Sequence, residues 1–427
     1  MEYYEQSVRK IPIRDHVDVL VAGGGPAGFG AALSAARMGK KTLLIEQSGS
    51  IGGMATNGLM SHWTGYQEGG IFAELRQKAR DCESPEVINP EKVKFLMLDM
   101  LREAKVSVQL QSMITDVVMD GSRLSGVVCE SKSGPEVYIS KIIIDSTGDG
   151  DIAFKSGVPF EKGREDGRMQ PVTIMFKVAG VDMDRAMFFW GFEDTVRLPE
   201  GDLQTLAQEK VPSPAGHVLL YPSSIPGLTT VNMTNMIDVD GTDVHQLSQA
   251  EYQLRGQIEP IVQFLRDYVP GYEMCYVIDS ASSVGVRETR RFIGDYQLTS
   301  QDIKRATKFD DWVVTRSHFF FDMHNVKGSG LDAAGVYKGF HQTRTYTIPY
   351  RCFIPKKIDG LLLNGRNISG DHLAHSSYRV MPICVNMGHA MGVAAAKCID
   401  LDIQPRKLNV TKIQKVLRTQ NVEPEEE

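Results

Sequence analysis

Asp18-Val19-Leu20-Val21-Ala22-Gly23-Gly24-Gly25-Pro26-Ala27-Gly28 is the stretch on which the fold turns. Val17–Ala22 is short, apolar and β-branched, the composition of a strand buried in a parallel sheet. Gly23, Gly25 and Gly28 give G-x-G-x-x-G, and Phe29–Met38 carries Ala and Leu at the close spacing of a small-faced helix laid on a sheet. Gly23 makes the turn, Gly25 lets the backbone approach a pyrophosphate, and Gly28 seats the helix against the strand. Pro26 and Ala27 open that helix, where free N–H groups and the positive dipole end face the phosphates. A second strand, Lys41–Ile45, ends at Glu46, about 20 residues beyond the glycines, where a βαβ unit needs a carboxylate for ribose hydroxyls. Strand, glycine turn, helix, strand and acid in this order predict a dinucleotide site.

The chain around this unit has 427 residues, enough for about two or three domains. Its formal net charge of −6, with basic residues scattered, points to neither nucleic acid nor an anionic membrane as a partner. Cys82, Cys129, Cys275, Cys352, Cys384 and Cys398 form no C-x-x-C pair, which argues against a redox dithiol, an iron–sulfur cluster or a zinc site; no metal is expected. Without a basic leader segment or a long apolar run, the sequence reads as soluble and cytoplasmic.

Downstream, Ser48–Gly58 is a glycine-rich loop placed to close over the far half of a long ligand. Asn89-Pro90-Glu91 starts a helix, and Val106–Ile144 alternates as a small antiparallel meander with turns at Asp120-Gly121 and Ser133-Gly134-Pro135. The meander ends in the buried run Ile142–Ile144 and the turn Asp145–Asp151, where Asp149 and Asp151 read as turn residues. From about Pro171 the composition changes, and a long helix, roughly Val244–Tyr268, is predicted with Leu247, Tyr252, Leu254, Ile258, Ile261 and Leu265 toward its buried side, interrupted by Pro260. Ile358–Asn367 then repeats the strand-into-glycine-turn pattern, and Val380-Met381-Pro382 starts a glycine- and alanine-rich helix whose N-terminus forms a second positive end. The fold class is therefore α/β: a Rossmann-like nucleotide domain with a parallel sheet and an antiparallel meander (1–151, resumed at 341–427), plus an inserted α+β substrate or cap domain (152–340). The tail Glu423-Pro424-Glu425-Glu426-Glu427 reads as disordered.

Together these segments resemble the FAD-binding domain of the glutathione-reductase-type flavoproteins, and more closely the FAD-dependent oxidoreductases related to fumarate reductase and succinate dehydrogenase flavoproteins. The likeness implies non-covalent FAD, since no attachment motif accompanies the available His and Cys. It implies that Gly23, Gly25, Pro26, Ala27, Gly28 and Glu46 hold the ADP half. Thr147, Gly148 and Asp149 would form the second flavin motif, and Asn364, Gly365 and Arg366 the third. Met113 would hold adenine, Gly52, Gly53 and Met54 would lie along the flavin, and Met381 and Pro382 would present the helix N-terminus to its pyrimidine edge. Gly285–Arg291 and His372–Pro382 look family-specific.

Flavin chemistry leaves the protein to orient a substrate and move a proton, and imidazole suits that near neutral pH. His372 and His375 are the first candidates, His62 the third, with Arg290 and Arg379 as substrate clamps and His318, His324 and His341 read as structural. The expected activity is hydride transfer between a small polar, hydroxylated, sugar- or polyol-like substrate and flavin, with an unnamed electron acceptor or donor and an open oligomeric state. Alternatives are reduction of an activated double bond, flavin monooxygenation, or a non-catalytic electron-transfer protein. No second G-x-G-x-x-G unit offers a nicotinamide domain.

Overall fold

The computed structural model describes residues 2–4, 7–332 and 344–425. Strand β1 (Ile13–Ala22) leads into helix α1 (Pro26–Arg37), and β2 (Thr42–Ile45) lies parallel to β1 with Ala22 opposite Ile45. The first strand begins well before Val17, because its exposed polar first half still pairs, Ile13 with Val137 and Val17 with Ser140. Strand β3 (Ser107–Gln109) sits on the outer edge of β2 in the same parallel sheet, not in the meander predicted from Val106. The chain turns at Leu110–Ser112, where Gln111 has a φ of 53°, and the antiparallel meander is β4 (Met113–Asp120), β5 (Arg123–Ser131) and β6 (Gly134–Asp145).

β6 joins the two parts of the sheet. It is antiparallel to β5 along its first half and parallel to β1 from Val137 onward, ending with Asp145 opposite Ala22. Where β5 stops, the strand Leu361–Leu363 returns from far along the chain and takes its place, with Leu363 opposite Asp145. Four strands thus end at one edge, at Ala22, Ile45, Asp145 and Leu363, which is where an open α/β sheet binds its ligand. The helix Met381–Asp400 covers α1 at backbone contact. A Cβ at Gly388 would lie 1.9 Å from the Ala27 carbonyl oxygen, and one at Gly30 would lie 2.2 Å from that of Val385.

The cap carries a four-stranded antiparallel sheet in the order Leu220–Pro222, Thr229–Val231, Phe176–Ala179, Tyr276–Ser280. Its core gathers Phe176, Leu220, Leu265 and Tyr272. The long helix predicted here breaks at Gln257 into Val244–Gly256 and Ile258–Tyr268. Pro260 falls in the first turn of the second helix, where its missing N–H has no helical acceptor to lose. Tyr252, expected on the buried side, is 84% exposed. Phe292, Leu298, Ile303 and Val313 pack in the main core with Tyr346. The acidic tail is held rather than loose up to Glu425: Arg316 donates to the Glu423 carbonyl and Lys308 to that of Glu425, 3.0 Å each. Among the described residues no helix is long and apolar enough to cross a membrane, and no cluster of His, Cys, Asp and Glu is suited to a metal ion.

Candidate active site

Two cavities meet at the carboxyl edge of the sheet. The first, about 610 Å3, is walled by the predicted nucleotide motifs. Gly23, Gly25, Pro26, Ala27, Glu46, Gly53, Met54 and Met113 line it from the first part of the chain; Thr147, Gly148, Asp149, Asn364, Gly365, Arg366 and Met381 complete it. Gly28, Gly52 and Pro382 stand behind this wall. A Cβ at Gly28 would fall 1.8 Å from the Gly23 carbonyl oxygen, so Gly28 sets how closely helix and strand approach. Gly23 itself has a φ of 91°, and a Cβ there would meet the Ser146 carbonyl at 2.4 Å. Leu247, Ser248 and Glu251 of the cap form another side.

This cavity fits FAD. Helix α1 and the helix from Met381 both begin without a side-chain cap, so N–H groups at two positive ends remain available. Gly25 at the first has no neighbour within 4 Å of a Cβ position, leaving open backbone for a pyrophosphate. The Glu46 carboxylate is fixed by the amides of Gly24 at 2.6 Å and Ser48 at 2.8 Å. The second motif hangs on Asp145, which stands just before the predicted binding residues. Asp145, fully buried, accepts from the Thr147 amide and hydroxyl and from the Ala153 amide, and burial raises its carboxyl to about 6. Its signal was the acid ending an Ile-Ile-Ile run.

The second cavity, about 820 Å3, lies under the cap and is rich in aromatic side chains: Trp63, Tyr66, Trp190, Tyr221, Phe319 and Phe321 are among its walls. It shares Met54, Val286, Arg287, Arg379 and Met381 with the first, so the two cavities open on each other at one end. Asp322 and His324 stand at that end. Arg379 donates to Asp322 Oδ2 at 3.0 Å, and His324 Nε2 sits 3.4 Å from Asp322 Oδ1. Burial, with Arg287 nearby, lowers the His324 imidazole to about 4, so it is neutral at physiological pH. Burial works to raise the Asp322 carboxyl, but His324, Arg379 and Arg287 outweigh it and hold it well below the usual range.

The histidines chosen from sequence are distributed unevenly around this site. His62 lines the aromatic cavity, edge-on to Trp190 and Tyr221, and burial lowers it to about 4. His372 and His375 line neither cavity. His372 Nδ1 pairs with the buried Glu288 at 2.7 Å, in a network with Arg291 and the Gln170 amide. His375 is buried in protein, and that burial, with Arg291, keeps it well below its ordinary value. Arg290 is spent on Asp151 at 3.0 Å and on the Phe154 ring, while Arg379 reaches both cavities. His318 and His324, read as structural, line the aromatic cavity; His341 lies outside the described residues.

Comparison with known proteins accords with this architecture. The family described as FAD dependent oxidoreductase matches residues 18–417. The chain belongs to that family. FAD is its cofactor, and it is an oxidoreductase. This FAD dependent oxidoreductase is 47% identical over 49 residues to a dihydrolipoyl dehydrogenase of Trypanosoma brucei brucei, covering 12% of this chain and 10% of that protein. It is 47% identical over 57 residues to a fumarate reductase (cytochrome) of Shewanella frigidimarina, covering 13% and 10%. It is 31% identical over 150 residues to a thiamine thiazole synthase of Methanococcus vannielii, covering 31% and 56%. The likeness to the first two therefore spans about a tenth of their length, and to the third about half. A geranylgeranyl bacteriochlorophyll reductase-like protein from Thermoplasma acidophilum shares the fold, with a TM-score of 0.51, 13% identity, and coverage of 95% of this chain and 84% of that one.

Proposed function

We propose that this FAD dependent oxidoreductase dehydrogenates a hydroxyl group on a small ring-shaped, sugar- or polyol-like compound held in the aromatic cavity. The observation carrying this reading is the junction itself: the aromatic cavity opens on the cofactor cavity at Met54, Arg287, Arg379 and Met381, where the flavin would lie. FAD, when bound, supplies a hydride acceptor. Asp322 accepts from the Nε2–H of His324, which leaves the Nδ1 lone pair to take the hydroxyl proton as the C–H hydride departs and the carbonyl forms. The Asp322 charge stabilises the resulting imidazolium, and Arg379 keeps Asp322 in place. Aromatic faces enclose the ring of the substrate and exclude water.

Anaerobic addition of sugars, polyols and hydroxy acids to the purified flavoprotein tests the reading, with NADH and NADPH as controls. Bleaching of the flavin by a hydroxylated compound and not by the nicotinamides is expected. The apolar lining equally suits an aromatic ring to be hydroxylated. Bleaching by a nicotinamide alone would favour that monooxygenase reading.

A further inference from the structure

The deep end of the aromatic cavity holds two guanidinium groups and one carboxylate. Arg379 is paired with Asp322, and its side chain is only 13% exposed. Arg287 is different: the acceptor found for it is the Pro171 carbonyl at 2.7 Å, and it makes no ion pair among the described residues. Its guanidinium is desolvated enough, with Arg379 beside it, to be brought down to about 10. The other acids on this cavity do not compensate it. Glu193 and Asp194 are exposed, and Glu86 is paired with Arg76. Two guanidinium groups thus share the single Asp322 charge, and the partly buried Arg287, with N–H groups left free, suits a second carboxylate at two points.

We infer that Arg287, supported by Arg379, forms an anion subsite where the two cavities meet, and that the substrate is a hydroxy acid whose carboxylate sits there beside the hydroxyl being oxidised. This rests on the aromatic cavity being the substrate site, as proposed above. It also narrows the polyol class to acidic members, since a neutral polyol leaves Arg287 unpaired.

The test uses the FAD-loaded protein and two non-reacting probes of one shape, benzoate and benzamide, titrated by their perturbation of the flavin spectrum. Benzoate is expected to bind about ten- to a hundredfold more tightly, the effect of hydrogen bonds to a charged partner. Arg287→Gln should remove that preference, and Arg287→Lys should restore part of it. Equal binding of the two probes to the wild-type protein, or no response to either, would overturn the subsite even if Arg287→Gln fails to fold. So would a preference that survives Arg287→Gln while the flavin potential shifts, since Arg287 would then serve the reduced flavin. Flavin bleaching by neutral polyols as efficiently as by their acids would leave the dehydrogenase reading standing and remove the subsite. Discrimination by benzoate without bleaching by any hydroxylated compound would do the reverse.

Discussion

The two cavities of this flavoprotein are built in different ways. The cofactor cavity is built on contiguous backbone motifs: glycine turns after Ala22, Asp145 and Leu363, two uncapped helix starts, and one fixed carboxylate at Glu46. The aromatic cavity is made of side chains brought from distant parts of the sequence, with a neutral imidazole and paired charges at its deep end. Backbone sites tolerate little change in shape because a single Cβ has nowhere to go. Side-chain sites tolerate change in shape and depend on chemistry.

That contrast is most sharply tested by exchanging histidines. His324→Asn should lower the rate of flavin reduction about 10²- to 10⁴-fold, as loss of a general base does, with the flavin spectrum retained. His372→Asn should leave flavin reduction within a few-fold and instead cost about 1–3 kcal/mol in denaturant unfolding, by unpairing the buried Glu288 network. If the two variants exchange these phenotypes, the site lies at the helix start after all.

For the cofactor cavity, Gly23→Ala should weaken FAD retention and cost about 3 kcal/mol or more of stability, because the residue has a φ of 91° and its Cβ would overlap the Ser146 carbonyl. Retention of FAD on gel filtration and chemical unfolding would check this; an unaltered holoprotein would break the backbone-built description.

Acid should act on buried histidines on both sides. His62 and His324 of the aromatic cavity and His389 of the helix covering α1 are each lowered by burial to about 4, and His375 is lowered well below its ordinary value. Between those values and about 6.5 the unfolded chain binds more protons than the folded one, so stability falls as pH drops from about 6.5 toward 4. The acid limb of kcat/KM, if His324 is the base, should lie near pH 4. A limb near 6.5 would point to a solvated histidine.

The smallest expected effect concerns the cap helix. Tyr252→Ala should change stability by less than about 0.5 kcal/mol, being exposed, whereas Leu254→Ala should cost about 2–5 kcal/mol. Thermal or urea unfolding would separate them.

The backbone-built half of the molecule was legible in the sequence because its determinants are contiguous. Gly23 to Glu46, Thr147 to Asp149 and Asn364 to Arg366 each lie in a turn next to the strand that positions it. The side-chain half was not. Trp63, Trp190, Tyr221, Arg287 and His324 come together only through the cap sheet and the loops joining it to the main core, and none stands in a motif that names the others. His372 drew attention by preceding the flavin-side helix, yet the carboxylate that holds it, Glu288, is far away in sequence. The helix break at Gln257 escaped notice because Pro260, taken as an interruption, sits in a first turn where proline is at home.

The claim that the two cavities form one hydride-transfer site is tested most directly by following flavin reduction anaerobically with a hydroxy acid, protiated or deuterated at the carbinol carbon. The account predicts bleaching that is slowed by deuterium in the wild-type protein and nearly abolished in His324→Asn. Bleaching by NADPH alone, or reduction indifferent to both the deuterium and the histidine, would contradict it.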